Sequence, residues 1–209
     1  MNTLFTTLFF LSTISSNIVS SQSADPPLWP ASFIMQFSGV YTETGWQYSG
    51  YMYYSDPAKH WRFDEVFEYD AKLHEKYPSM TDEITEFDFA NETTVLSYHM
   101  SPTTFDWSCD IVPVPSWWAP DYLYSDTTYL GIKMINNILC DVYSTDNIWP
   151  GSTIESYISR NDGSFIRLLF DQPSNDFYLD VINMTTVESI DSSTWNIPET
   201  IQTAAPECS

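Results

Sequence analysis

Apolar residues recur at every second position in short runs along this chain, and turn residues separate the runs. In the run over residues 31–42, for example, Phe33, Met35 and Phe37 lie on one face. A period of two residues is typical of a half-buried β-strand. Since the helical period of 3.6 residues is almost absent, the pattern predicts a mainly β fold: an antiparallel sheet, a sandwich or an open barrel.

Turn signals join neighbouring runs into hairpins. Glu43-Thr44-Gly45 and Asn161-Asp162-Gly163 are typical of tight turns between antiparallel strands. Strands are predicted over residues 31–42, 46–55, 60–69, 83–89, 94–99, 105–114, 128–136, 138–144, 153–160, 164–170 and 177–184. A loop or a short helix is predicted for residues 71–80. Flexible tails are predicted for residues 21–27 and 199–207.

The first 23 residues carry no charged side chain and include an apolar run over residues 4–11. This is typical of a secretory signal peptide, cleaved after Ser21 or Ser23. The run is shorter than the roughly 20 residues of a membrane-spanning helix. We expect residues 24–209 to form a single β domain outside the cell or in the lumen of the endolysosomal pathway, with N-glycans on exposed Asn91 and Asn183.

The chain is strongly acidic, with 28 acidic and 7 basic residues and a formal net charge of −21. Nucleic acids and anionic membrane surfaces are poor partners for such a charge, and cations are better ones. Aromatic residues make up 17% of the chain, which is enough to build a buried core. The composition therefore indicates a globular protein with no affinity for nucleic acid.

Several features occur in the order found in a known family. They are Leu28-Trp29-Pro30, Tyr53-Tyr54-Ser55-Asp56 followed by Arg62, Leu96-Ser97-Tyr98-His99-Met100 leading to Cys109, Gly131, and Trp195-Asn196-Ile197-Pro198 before Cys208. This order resembles the ependymin-related secreted glycoproteins, whose fold is similar to bacterial lipoprotein carriers. The resemblance implies curved antiparallel sheets in a half-open barrel or sandwich with an apolar concave face.

The resemblance also implies a disulfide between Cys109 and Cys208. Two further disulfides of the family have no counterpart here. For one of them, both cysteines are absent, one near the N-terminus and its partner near residues 159–160. Cys140 is then left over as a buried thiol. A bridge between Cys109 and Cys140 is the competing pairing, but the loop closed by Cys109 and Cys208 is longer and would contribute about 4 to 5 kcal/mol.

Catalytic and metal-binding patterns have little support in the residues. His60, His74 and His99 are scattered and have no obvious partners, and no hydrolase motif is present, so we expect no enzyme activity. Calcium is a candidate cofactor, since the family is regarded as calcium-binding and carboxylates are abundant. Candidate ligands are Asp82, Glu83, Glu86, Asp88 and the loop over residues 121–126. A solvated acidic face is the alternative interpretation.

The aromatic residues suggest a site for a lipid-like ligand on the concave face. Its predicted lining is Phe33, Met35, Phe37, Trp46, Tyr48, Trp61, Phe63, Phe165 and Phe177, with Trp117 and Trp118 as a lid. The alternative is that these residues fill an ordinary core. We expect a secreted, non-enzymatic glycoprotein that binds a hydrophobic ligand. A calcium-responsive matrix or cell-adhesion glycoprotein, with matrix proteins as partners, is the alternative, and a homodimer is left open.

Overall fold

The strands of the protein lie side by side in one open antiparallel sheet in the computed structural model. The structure describes residues 26, 28–42, 45, 47–67, 86–91, 94–100, 106–113, 119–121, 127–146, 152–171, 176–205, 207 and 208. The strands are β1 (Ser32–Tyr41), β2 (Gln47–Ser55), β3 (His60–Phe67), β4 (Glu86–Ala90), β5 (Thr94–Met100), β6 (Trp107–Pro113), β7 (Thr128–Ile135), β8 (Ile138–Asp146), β9 (Thr153–Ser159), β10 (Phe165–Asp171) and β11 (Phe177–Thr186).

The order of strands across the sheet is β6-β5-β4-β3-β2-β1-β11-β10-β9-β8-β7. The pairing of β1 with β11 joins two sequential meanders at the centre, and β6 and β7 form the two edges. The predicted mainly β, antiparallel, unclosed fold is confirmed, and the described strands form one curved sheet instead of the two layers of a sandwich. The one α-helix of the described residues, α1, spans Glu199–Ala204.

One face of the sheet, here called the inner face, carries the main hydrophobic cluster. Buried side chains from β1 to β5 and from β9 to β11 meet in it, which identifies this face as the concave one. Gly50 on β2 permits close packing there. A Cβ at this position would collide with the carbonyl oxygen of Asp64 and with the ring of Phe37, so a residue without a side chain is required.

The opposite, outer face of β3 to β6 is covered by the C-terminal segment. Arg62 on β3 donates a hydrogen bond to the carbonyl oxygen of Thr194 at 2.6 Å. Trp195 stacks on His60, with 5.3 Å between ring centroids. Ile201 of α1 is fully buried in a cluster with side chains of β5 and β6.

The prediction of a flexible tail over residues 199–207 is therefore wrong. Residues 199–204 form α1, which buries Ile201, and Cys208 is bonded to Cys109. The physical reason is that Ile201 and the disulfide, with Ile197 and Ala205 packed beside them, anchor the segment to β5 and β6. A helix of six residues with one fully buried side chain is too short to show a helical period in the sequence.

The outer face of β7 to β11 carries a second small cluster under charged side chains. Cys140 and Val142 are fully buried there beside Tyr157. Arg167 lies over this region, with its Nε 2.6 Å from Oδ1 of Asp180. In the described residues, charged side chains that pair with each other thus lie beside the apolar atoms of this cluster. Within the described residues, no helix is long and apolar enough to cross a membrane.

Candidate functional site

The structure brings most of the predicted pocket residues together on the inner face. Phe33, Met35, Phe37, Tyr48 and Trp61 are buried in its cluster, and Phe63, Phe165 and Phe177 pack against it. Trp46, Trp117 and Trp118 lie outside the described residues. The strand register explains the grouping, since Phe33 is opposite Tyr54 and Met35 is opposite Met52 across β1 and β2.

The centre of the inner face is filled by ring-on-ring packing. Phe37 stacks on Phe63 with 4.6 Å between ring centroids, and Phe33 stacks on Tyr54 at 5.1 Å. Phe33 and Phe37 expose none of their surface to solvent. These rings are therefore the floor of the protein's core, and the space available to a ligand lies beside them.

Among the residues that the structure describes, a groove of about 560 Å³ lies beside β10 and β11, where the inner-face cluster meets the edge of the outer-face cluster. Phe165, Val181 and Met184 line it and also pack against the inner cluster, so the groove is continuous with the core. Its outer walls include Leu28 and Ile182, each 57% exposed. Pockets that hold small ligands have volumes of about 300 to 1,000 Å³, so the groove has the volume for an acyl chain. Polar and apolar atoms line it in similar measure.

Ile182 reaches the groove because the register between β1 and β11 shifts at this point. Gln36 pairs with Asn183 and Phe37 pairs with Val181, so Ile182 is an extra residue in β11. Such a bulge bends the strand and redirects its side chains. The strand contains no Gly or Pro that would mark the bulge, and for this reason Ile182 was missing from the predicted lining.

Trp29 and Tyr54 are two further inner-face residues that the sequence analysis missed, and Met52, Leu168, Phe170 and Leu179 of the same cluster were missed with them. Trp29 contacts Phe165 with 5.6 Å between ring centroids, which links the N-terminal segment to the groove wall. Tyr54 follows the period of two set by Tyr48 and Met52, so the alternation of β2 was a usable signal. Trp29 precedes a proline outside any periodic run, and no pattern predicted its burial.

The polar end of the inner face contains a buried carboxylate. Glu65 on β3 is 1% exposed, and the hydroxyl of Tyr41 donates a hydrogen bond to its Oε2 at 3.1 Å. Tyr41 also contacts Phe177 with 5.5 Å between ring centroids. The aromatic side chains of the inner face therefore end, next to Phe177, at the phenol of Tyr41 and the carboxylate of Glu65. This margin of the inner face is polar, and the rest of the face is apolar.

His99 has partners that sequence reasoning missed. On β6, the strand paired with β5, Ser108 Oγ lies 2.7 Å from His99 Nε2, and Asp110 Oδ2 lies 3.9 Å from His99 Nδ1. The second distance is longer than the hydrogen bond that orients a catalytic histidine. His99 and Asp110 have side chains that are 46% and 64% exposed, so this group is a solvated cross-strand contact.

The candidate calcium ligands fall mostly outside the described part of the chain. Asp82, Glu83 and residues 122–126 lie there, and of Glu86 only the backbone, on β4, is described. Asp121 is exposed and Asp88 is half-buried. In the described ranges, no group of three or more His, Cys, Asp or Glu side chains is placed to hold a metal ion.

Both sequon asparagines are exposed, as predicted. Asn91 lies in the turn between β4 and β5, where its Oδ1 accepts a hydrogen bond from the Thr94 amide at 2.9 Å. Asn183 Nδ2 lies 3.3 Å from Thr185 Oγ1 on the extended strand β11. Asn183 also lines the groove, so a glycan on its side chain would stand at the groove rim.

The cysteines are arranged as the family resemblance implies. Cys109 and Cys208 form a disulfide, and Cys140 is a buried free thiol. Burial raises the pKa of the Cys140 thiol, and the neighbouring Asp141 carboxylate raises it further, while Arg167 acts in the opposite direction. Cys140 is therefore held as a neutral thiol, which is a poor nucleophile and a poor metal ligand.

Comparisons with known proteins find similarity in structure alone. No protein-family model matches the sequence, and no curated protein matches it. An uncharacterized conserved protein from Thermus thermophilus is 14% identical over 81% of this chain and 87% of that chain, with a TM-score of 0.47. A chain of the Pseudomonas aeruginosa MucA/MucB complex is 12% identical over 81% of this chain and 56% of that chain, with a TM-score of 0.41.

A domain from Vibrio parahaemolyticus, assigned as an outer membrane lipoprotein-sorting protein, is 5% identical over 79% of this chain and 89% of that domain, with a TM-score of 0.39. Membership of the ependymin-related family remains a prediction, and the proposals below depend on the residues of this chain.

Proposed function

We propose that this protein is a secreted, non-enzymatic glycoprotein that binds a hydrophobic, lipid-like ligand. The observation that carries the proposal is the groove of about 560 Å³, whose lining residues Phe165, Val181 and Met184 also belong to the rim of the aromatic core. A ligand in this groove would contact apolar atoms on the floor and solvent at the mouth. The driving force would be burial of apolar surface, about 25 cal/mol per Å².

Polar groups at the groove favour an amphipathic ligand over a pure hydrocarbon. Ser164, Asn183 and Thr186 stand among the apolar lining residues. Hydroxyl and amide groups in such positions orient the polar end of a ligand, while the apolar lining supplies most of the affinity. Fatty acids and phospholipids have this combination of chemistry.

The test is a titration with a lipophilic fluorescent probe, followed by displacement with fatty acids or phospholipids. We expect saturable binding to the native protein. Leu28→Glu and Ile182→Glu place carboxylates in exposed positions of the lining and should weaken binding about tenfold without unfolding the protein. Ile111→Glu, at a position 46% exposed on β6, is the matched control and should bind as the wild type does.

Two results would contradict the proposal. The first is that the native protein binds no probe at micromolar concentrations. The second is that the groove variants bind the probe as well as Ile111→Glu does.

Ser108→Ala tests the prediction that the protein is not an enzyme, because it removes the hydroxyl next to His99. The proposal requires that this variant leave ligand binding unchanged, and that neither protein hydrolyse an ester form of the probe.

A further inference from the structure

We propose that the N-glycan on Asn183 packs against two tyrosine rings on the outer face of the sheet and so becomes part of the folded structure. The rings are those of Tyr51 and Tyr53 on β2, here called the tyrosine platform. The inference rests on the proposed function only in requiring a glycan on Asn183. It assigns to that glycan a binding site on the protein's own surface.

The tyrosine platform and Asn183 are on the same face of the sheet. Met52, between the two tyrosines, is buried in the inner cluster, and Met184 of β11 packs against that cluster. Successive side chains of a strand point to opposite faces. Tyr51, Tyr53 and Asn183 are therefore on the outer face, away from the aromatic core.

The strand register places Asn183 and Tyr51 in one row. Gln36 of β1 pairs with Asn183 on one side and with Tyr51 on the other. Neighbouring strands are about 4.8 Å apart, so Tyr51 begins about 10 Å from Asn183. An N-glycan starts with two linked N-acetylglucosamine rings, which together are long enough to cross the one intervening strand.

The side chain of Asn183 is oriented so that a glycan starts on this face. Its Nδ2 lies 3.3 Å from Thr185 Oγ1. Glycosylation replaces one of the two hydrogens on Nδ2, so the other can still be donated to Thr185. Thr185 pairs with Ile34, and Ile34 pairs with Tyr53. The atom that carries the glycan is therefore held toward the row of residues that leads to Tyr53.

Tyr51 presents the more open ring of the tyrosine platform. It is 44% exposed, and its ring centroid lies 6.3 Å from that of Tyr53, with 30° between the two planes. The Arg62 guanidinium lies 5.6 Å from the centre of the Tyr53 ring and covers part of it. The C–H face of a sugar packs on such an exposed ring, because both surfaces are apolar.

The charge of this region suits a neutral sugar. The carboxylates that border it, Asp64 on β3 and Asp180 on β11, are each bound by an arginine. N-Acetylglucosamine carries no charge, whereas a second copy of the chain would bring a further charge of −21 to this surface. The outward-facing side chains at the centre of β1 and β2 are uncharged: Ile34, Gln36, Ser38, Ser49, Tyr51 and Tyr53.

A glycan in this position stays clear of the groove. Asn183 lies at the boundary, with the groove beside β10 and β11 and the tyrosine platform across β1 on β2. A glycan that extends toward β2 leaves Leu28 and Ile182 of the groove accessible to a ligand. Removal of the glycan should therefore leave binding of the lipophilic probe unchanged.

The test is a double-mutant cycle on protein from a secretory host, with glycan occupancy measured by mass spectrometry of glycopeptides. We expect Asn183→Gln to lower the melting temperature by about 2 to 4 °C, the size of one aromatic contact in a chain of this length. In a Tyr51→Ser background, Asn183→Gln should lower it by less than about 1 °C. Asn91→Gln is the matched control, since its glycan starts in the β4–β5 turn. Its effect should be the same with Tyr51 and with Ser at that position.

A second measurement follows the glycan itself. An endoglycosidase that cuts between the first two sugars needs access to both of them. On the native protein we expect it to cleave the Asn183 glycan about tenfold more slowly than the Asn91 glycan, because packing covers the bond. Tyr51→Ser should remove this difference, and a variant that merely destabilises the fold would not.

The inference is overturned if the cycle shows no coupling between Asn183 and Tyr51, or if both glycans are cleaved at the same rate. An Asn183 without glycan also overturns it, and ligand binding in the groove then stands unaffected. Failure of the wild type to bind the lipophilic probe would contradict the proposed function alone. A dimer that Tyr51→Ser converts to a monomer in sedimentation would overturn the inference, since a second copy would then cover the tyrosine platform.

Discussion

At the scale of single residues, burial decides which side chains can react. Cys140 shows this most clearly, because it is fully buried and its pKa is raised by burial and by Asp141. A thiol whose pKa is higher in the folded than in the unfolded state stabilises the fold below the unfolded pKa. That stability is lost as the pH rises through the folded-state pKa. Cys140 is therefore expected to be structural and not reactive.

The prediction for Cys140 is resistance to alkylation in the native protein. Iodoacetamide at pH 8 should modify it only after the protein is unfolded, because the reactive thiolate is disfavoured and covered. Mass spectrometry of peptides from the native and unfolded protein measures this. The same non-reduced map should contain the Cys109–Cys208 peptide. Rapid native alkylation of Cys140, or a Cys109–Cys140 peptide, would contradict the structure.

At the scale of elements, local patterns predicted strands well and their long-range partners poorly. The alternation in β1 and β2 placed Phe33, Met35 and Tyr48 on one face, as the structure confirms. The pairing of β1 with β11 depends on contacts between residues about 150 positions apart, such as Phe33 with Thr186, and no local signal encodes it. The groove lies near this junction, so its lining could be predicted only in part.

The C-terminal segment yields an element-scale prediction. Ile201→Ala should lower the free energy of unfolding by about 2 to 5 kcal/mol, because Ile201 is fully buried against β5 and β6. Thr203→Ala, at an exposed position of the same helix, should change it by less than about 0.5 kcal/mol. Urea denaturation of both variants measures the difference. Equal stabilities would show that α1 does not dock on the sheet in solution.

At the scale of the whole molecule, the net charge of −21 opposes compaction. Divalent cations should therefore raise the melting temperature through general screening, and a calcium site would add a specific effect. Since the family resemblance implies calcium binding, we expect Ca²⁺ to raise the melting temperature more than Mg²⁺ at matched ionic strength, with saturation. Thermal melts in both ions decide this, and identical shifts would leave screening as the sole effect of calcium.

The central claim is that the groove beside the aromatic core holds an apolar ligand. Native mass spectrometry of the protein purified from a secretory host tests it most directly, since bound lipid adds a defined mass. We expect the wild type to carry or take up one acyl-chain ligand, and Leu28→Glu with Ile182→Glu to lose it. A wild-type spectrum that shows only the glycosylated chain, before and after incubation with fatty acids and phospholipids, would contradict the claim.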